Sequence, residues 1–242
     1  MHDKKVALIT GANKGIGFET ARQLGQRGMT VLVGARDAER GEAAAKRLRE
    51  EGLDARFVRL DVTDGATIDA AAKWIERELG RLDVLVNNAG IVVDQQKPSE
   101  CNLDDVRKVY DANVFGVIAV TQAMLPLLRR SAPHARIVNV SSGLGSFALQ
   151  TDPRSPYASI NILGYNSSKA ALNMVTVQFA KELRDTGIKV NAADPGYTAT
   201  DLNNNSGTQT VAEGTEASVK LATLDDDGPT GGYFDRMGPV PW

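Results

Sequence analysis

The chain has one cysteine, Cys101, in 242 residues. A single thiol excludes an internal disulfide, and a reducing compartment is the natural setting. Cys101 has no histidine near it in sequence, which disfavours a nucleophilic role. Charge of one sign is also missing: 28 Lys and Arg stand against 30 Asp and Glu, for a net −2. The cations are scattered, so neither nucleic acid nor an anionic membrane is an expected partner. The start, Met1-His2-Asp3-Lys4-Lys5, is charged, and the apolar run Val6 to Ile9 is too short for a signal peptide or a membrane span. A cytoplasmic protein is expected. No metal site is expected, and no repeat, low-complexity stretch or boundary divides residues 1–242, which read as one domain.

What the sequence does hold is an alternation of two patterns. Short unbroken apolar runs read as strands buried on both faces: Val6 to Ile9, Thr30 to Val33, Ala55 to Leu60, Leu82 to Val86, Ala135 to Val140 and Ile188 to Ala192. Between them lie stretches of helical period. Phe18, Ala21 and Leu24 share one face of a helix that Gly28 ends. Ala38 to Glu51, Ile68 to Leu79, Val106 to Leu128, Tyr165 to Arg184 and Thr210 to Leu221 follow, and 228–234 should return to the sheet edge. Strands separated by helices call for an α/β fold, a doubly wound parallel sheet with helices on both faces. Two irregular segments, 143–164 and 198–207, follow strand ends on the edge where such sheets bind ligands.

The first strand runs into Thr10-Gly11-Ala12-Asn13-Lys14-Gly15-Ile16-Gly17. Glycines here let the backbone turn tightly and approach a pyrophosphate, which then meets the N–H groups of the next helix. The spacing differs from G-x-G-x-x-G, and the same glycines also suit a tight turn that binds nothing. The second strand ends Val33-Gly34-Ala35-Arg36. A site for NAD places a carboxylate at that tip, on the ribose 2′-hydroxyl. Here an arginine stands there and Asp37 follows it. Arg36 would pair with a 2′-phosphate, and Lys14 flanks the same position, so NADPH is favoured over NADH. The alternative, that both are only solvated surface cations, is disfavoured because they flank one phosphate position.

Tyr165-Asn166-Ser167-Ser168-Lys169 sets a phenol and an ammonium one helical turn apart. The ammonium is expected to lower the phenol pKa, which suits general acid–base work near neutral pH. With five tyrosines and eleven lysines, chance supplies such a pair in roughly one sequence in four. The context is what singles it out. Arg136 to Val140 ends at Ser141-Ser142, Leu82 to Val86 ends at Asn87-Asn88-Ala89-Gly90, and Leu60 is followed by Asp61-Val62. Asn113 is an amide inside an apolar helix, out of place unless bonded.

In TGANKGIG (10–17), DV (61–62), NNAG (87–90), Asn113, VNVSS (138–142), YNSSK (165–169) and PG (195–196), the sequence resembles the short-chain dehydrogenase/reductase family. The pieces follow the family's order over nearly the whole chain. The turn 10–17, Ala-Arg-Asp at 35–37 and Asp-Pro-Gly-Tyr-Thr-Ala-Thr-Asp at 194–201 look most like its NADPH-dependent carbonyl reductases. The resemblance implies a Rossmann-type fold. It implies Tyr165 as proton donor in carbonyl reduction and as base in alcohol oxidation, Lys169 as its pKa partner and a ligand of the nicotinamide ribose, and Ser142 as the group that polarises the carbonyl. It implies that Asn113 holds a water linking Lys169 to solvent. The cofactor would be bordered by Gly11, Asn13, Lys14, Gly15, Ile16, Gly17, Arg36, Asp61, Val62, Asn88, Ala89, Gly90, Tyr165, Lys169, Pro195, Gly196 and Thr198, with Pro195 and Thr198 toward the nicotinamide amide.

The stretch from Ser142 to Tyr165 is longer than in many family members and shorter than in the monomeric carbonyl reductases, which leaves pocket shape and homo-oligomer contacts open. Tyr157, inside it, has Asn161 four residues on and is rejected as the acid. Leu144, Phe147, Tyr197 and Leu202 either wall a pocket for a bulky, apolar carbonyl or alcohol substrate or pack within their loops, with Asn203-Asn204-Asn205 in a lid. Two other functions use the same fold: a non-catalytic NADPH sensor, against which the intact Ser142, Tyr165, Lys169 and Asn113 argue, and epimerisation or dehydration, which the short chain disfavours.

Overall fold

A computed structural model describes residues 4–93 and 96–242. Met1, His2 and Asp3 of the charged start lie outside the described residues. The strands are β1 (Val6–Thr10), β2 (Thr30–Ala35), β3 (Ala55–Arg59), β4 (Val84–Asn87), β5 (Arg136–Val140), β6 (Lys189–Ala193) and β7 (Tyr233–Phe234). They form one seven-stranded sheet in the order β3-β2-β1-β4-β5-β6-β7. Every pairing is parallel. All residues of β1, β2, β4 and β5 are buried, as unbroken apolar runs require when both faces are covered.

The alternation of side chains splits the core in two. Ala7, Ile9, Val31, Val33, Val86 and Val138 face one layer, built with α1 (Gly15–Gln26), α2 (Ala38–Glu50) and α8 (Val211–Ala222). Val6, Leu8, Leu32, Leu85, Ile137 and Val190 face the other. That layer is built with α3 (Gly65–Leu79), α5 (Gly116–Arg129) and α7 (Leu163–Glu182). The expected doubly wound α/β sheet is therefore what forms. Strand order reverses between β1 and β4, and the crevice at the carboxyl ends there is where such sheets take ligands.

The helix expected over 106–128 runs over Leu103–Arg129 with one turn out of α geometry. It comprises α4 (Leu103–Tyr110), a π-helical turn at Asp111–Phe115, and α5. The whole stretch Leu103–Arg129 is long and apolar enough to cross a membrane by length and composition, but 56% of its most apolar window is buried. Val120, Met124, Leu127 and Leu128 are among its core residues, so packing accounts for the apolarity. Segment 143–164 holds a 3₁₀ turn at Gly143–Gly145 and a short helix, α6 (Phe147–Thr151).

Candidate active site

The turn after β1 is shaped by three glycines. Gly11 and Gly15 have φ of +64° and +57°, a region that side chains rarely enter. A Cβ on Gly17 would stand 2.4 Å from Asn88 Nδ2 and 2.6 Å from the Gly11 carbonyl oxygen, so α1 packs directly on the turn. Asn88 closes it from the neighbouring strand, donating from Nδ2 to the Thr10 carbonyl at 2.8 Å and the Gly11 carbonyl at 3.2 Å. Thr10, which the sequence did not single out, accepts from the N–H groups of Asn88 and Ala89 at 3.0 Å each. Its only signal was a hydroxyl at a strand end.

This turn fits a phosphate. The helices α2, α3, α4 and α8 begin with a side chain that accepts from a first-turn N–H: Asp37, Asp64, Asn102 and Thr210. The start of α1, like that of α7, has no such cap and no acidic residue in its first turn, so its N–H groups and dipole lack an internal anion. At the tip of β2, Asp37 is engaged elsewhere. Its carboxylate accepts from Arg40 N at 3.0 Å and pairs with the Arg40 guanidinium at 3.3 Å, and the same contacts hold its pKa below the usual range. Arg36 is exposed at the ligand edge. Lys14 is exposed too, and its ammonium donates to Asp201 at 2.6 Å. Asp61 and Val62 are half-buried; the Asp61 carboxylate accepts from Thr63 Oγ1 at 2.7 Å. Asn13 and Ile16 are half-buried in the turn.

Tyr165 and Lys169 lie on the first turns of α7, with the ammonium 5.5 Å from the phenol ring centre. The turn after β5 meets them there. A Cβ on Gly145 would stand 2.6 Å from the Lys169 carbonyl carbon, so only a glycine lets that turn lie flat on α7. Asn173 pins it, accepting from Ser141 Oγ at 2.5 Å and donating to the Gly145 carbonyl at 3.1 Å. Ser142 accepts from Leu144 N at 3.2 Å and can donate to the Tyr165 phenolate. Lys169 is buried and donates to the Val140 carbonyl at 2.7 Å.

Expectation and structure part on proton affinity. In the cofactor-free protein the Tyr165 pKa is set by groups other than Lys169. Burial and the charge of Asp194 push the phenol up to about 12, against a smaller opposing effect of the Ser142 hydrogen bond. Burial brings the Lys169 ammonium down to about 8, opposed by Asp194. Desolvation is the larger cause at both groups.

Asp194 is the charged group the sequence reading left without a task. It is 6% exposed and accepts from Gly196 N at 2.9 Å. A Cβ on Gly143 would stand 3.0 Å from its Oδ2 and 2.7 Å from the ring of Tyr157. The carboxylate thus sits between the turn after β5, the turn after β6 and Tyr233 of β7. Burial raises its own pKa. An Asp before Pro-Gly reads as an ordinary turn residue, so no sequence signal marked it.

Asn113 lies in the π-helical turn and is fully buried. Its Oδ1 accepts from Ile91 N at 2.8 Å, and its Nδ2 donates to the Ile91 carbonyl at 3.0 Å and to Ser168 Oγ at 3.1 Å. The side chain ties the strand end after β4 to α7. A Cβ on Gly90 would stand 3.3 Å from Asn113 Oδ1 and 3.6 Å from Lys169 Nζ, which brings Gly90, Asn113 and Lys169 together. Pro195 and Gly196 follow β6, and Gly196 has φ +65°. Thr198 is buried, donating to the Pro195 carbonyl at 2.8 Å and packing on α8 at Gly214. On the substrate side, Phe147, Tyr197 and Leu202 expose their apolar surface and Leu144 is half-buried. The Tyr197 hydroxyl bonds Ser206 Oγ at 2.5 Å within its own loop.

The sequence profile of the short chain dehydrogenase family matches residues 5–210. The chain belongs to that family of oxidoreductases. It is 40% identical over 225 residues to short-chain dehydrogenase anuI of Penicillium roqueforti (strain FM164), covering 91% of this chain and 89% of that protein. It is 33% identical over 279 residues to the mouse carbonyl reductase [NADPH] 1, covering 99% of each. The crystal structure of NADPH-bound carbonyl reductase from chicken fatty liver superposes with a TM-score of 0.85 at 30% identity, covering 99% of both chains.

Proposed function

We propose that the protein is an NADPH-dependent carbonyl reductase that reduces a ketone or aldehyde and, in reverse, oxidises an alcohol, with Tyr165 as general acid and base. The observation that carries this reading is the convergence of the Ser142 hydroxyl, the Tyr165 phenol and the Lys169 ammonium at one sheet edge, beside an uncapped helix start. The NADPH half is supported by Arg36 at the β2 tip and by the capping role of Asp37, which leaves no free carboxylate there to repel a 2′-phosphate.

When bound, the cofactor supplies the hydride. The chain does the rest. Ser142 orients and polarises the carbonyl oxygen. Tyr165 gives that oxygen its proton, so one hydride on carbon and one proton on oxygen complete the alcohol. A phenol pushed up to about 12 stays protonated through neutral pH, which is the form reduction needs. Lys169, buried and bonded to the Val140 carbonyl, is placed to hold the nicotinamide ribose. Asn113 is a positioning residue that keeps Gly90 and α7 in register. The exposed rim of Phe147, Tyr197 and Leu202 supports a bulky, apolar substrate.

The test is a carbonyl and alcohol panel run with both nicotinamide cofactors. Tyr165→Phe should lower carbonyl reduction by at least about 100-fold while NADPH still binds with wild-type affinity. Undiminished turnover by that variant would refute the role of Tyr165.

A further inference from the structure

Lys14 and Arg36 leave the same edge of the sheet. Ala12 N donates to the Gly34 carbonyl at 3.0 Å, and each cation lies two residues beyond that bond. In the cofactor-free protein Arg36 is exposed, whereas Lys14 is engaged. Its ammonium bonds the Asp201 carboxylate at 2.6 Å, across 187 residues of sequence. A second contact reports the same approach: the Thr200 methyl lies 3.7 Å from where a Cβ on Gly15 would stand. Residues 200–201 therefore rest on residues 14–15. The substrate-side loop lies over the rim of the phosphate cradle.

The loop that carries Asp201 is itself well bonded. Asn203 accepts from Thr200 N at 3.1 Å and donates to the Thr198 carbonyl at 2.9 Å, and Asn205 N donates to the Thr200 carbonyl at 2.8 Å. These bonds do not involve Lys14, and the base of the loop is held separately by Ala199 N on the Gln209 carbonyl at 2.9 Å and Gln209 N on the Tyr197 carbonyl at 3.0 Å, so breaking the ion pair loosens the 200–206 tip without unfolding it. Both partners of the pair are more than half exposed, and water and salt weaken such a contact. A phosphate dianion carries more charge than a carboxylate and offers three acceptor oxygens. It can displace the carboxylate from a shared ammonium.

We propose that Asp201 is a cofactor-selectivity residue: it holds Lys14 in the free protein, and a 2′-phosphate takes Lys14 from it and releases the 200–206 tip of the loop, which an unphosphorylated dinucleotide leaves latched. The inference rests on the NADPH reading. Coupling of this kind is reciprocal, so whatever loosens the latch tightens the phosphorylated cofactor by the same factor.

Calorimetric titrations with adenosine 2′,5′-bisphosphate, NADP+ and NAD+ test it in wild type, Asp201→Asn, Lys14→Gln and the double variant. Asp201→Asn should bind the two 2′-phosphorylated ligands about two- to fivefold more tightly and NAD+ unchanged. The gain should vanish in the Lys14→Gln background and shrink as salt rises. No gain, an equal gain for NAD+, or a gain that survives Lys14→Gln would overturn the proposal. If Asp201→Asn fails to fold, Asp201→Ser carries the same test. Adenosine 2′,5′-bisphosphate has no nicotinamide to touch the loop. It should speed amide exchange over 200–206 in wild type and leave Asp201→Asn unaffected; unchanged exchange in wild type would overturn the release. Failure of the underlying NADPH reading looks different: wild type would then bind NAD+ as tightly as NADP+.

Discussion

Tyr165, Lys169 and Asp194 form a triangle of opposed electrostatic demands. The Asp194 charge raises the pKa of both other groups, and Tyr157, Tyr233 and Asp235 face the carboxylate from the neighbouring segments. On the proposed mechanism, reduction consumes the protonated phenol and is lost as pH rises through its pKa; alcohol oxidation needs phenolate and is gained over the same range. Asp194→Asn removes the negative charge, so the Tyr165 pKa falls from about 12 and the oxidation limb moves to lower pH. The pH profile of kcat/KM with NADP+ and a secondary alcohol reads this directly. A limb that stays in place would mean that Asp194 acts only by joining Gly143 and Gly196. This residue shows where sequence reading ran short. Tyr165 and Lys169 are marked by their spacing together with Ser142, Asn113 and the Gly-rich turn, whereas Asp194 gets its charge environment from three strand ends that only the fold brings together.

The π-helical turn at Asp111–Phe115 is the element with the clearest purpose. A wider turn inserts one extra residue into a helix and lets Asn113 reach the strand end at Ile91 while the flanking helices remain packed. Asn113→Ala removes three hydrogen bonds from a buried site. It should cost about 1–3 kcal/mol of stability, seen as a lower urea midpoint with an unchanged slope. If Asn113 aligns α7, kcat should fall more than the affinity for NADPH. The sequence marked the asparagine as misplaced in an apolar helix, and that signal was sound. It could not mark the turn, because residues in π and α geometry share one composition. The short helix α6 escaped for a different reason: five residues are too few to show a period.

At the scale of the whole molecule, the parallel sheet was legible because its strands are buried on both faces and read as apolar runs. Long-range polar ties were not legible. Arg136 opens β5 almost wholly buried, bonding the carbonyls of Pro133, Ala135 and Leu224 at 2.9 Å each and Asp226 at 2.8 Å. It fastens the sheet to the segment that leads into β7, some 90 residues on. Arg136→Met would take this donor from the Pro133 and Leu224 carbonyls, while Ala135 keeps its bond from Lys189 N at 3.1 Å, and a loss of about 2–4 kcal/mol is expected in denaturant titration. NADPH affinity per folded molecule should be unchanged, since the cradle is built from β1, β2 and β4.

The bond between Lys14 and Asp201 joins two parts of the chain that otherwise divide their labour. On the proposed function, residues 10–36 choose the cofactor, and residues 142–207 shape the space for the substrate. An engineer who replaces Lys14 to change the cofactor also unties the substrate loop. Redesigns of cofactor preference at the first turn will then drift in substrate range unless residue 201 is changed with them.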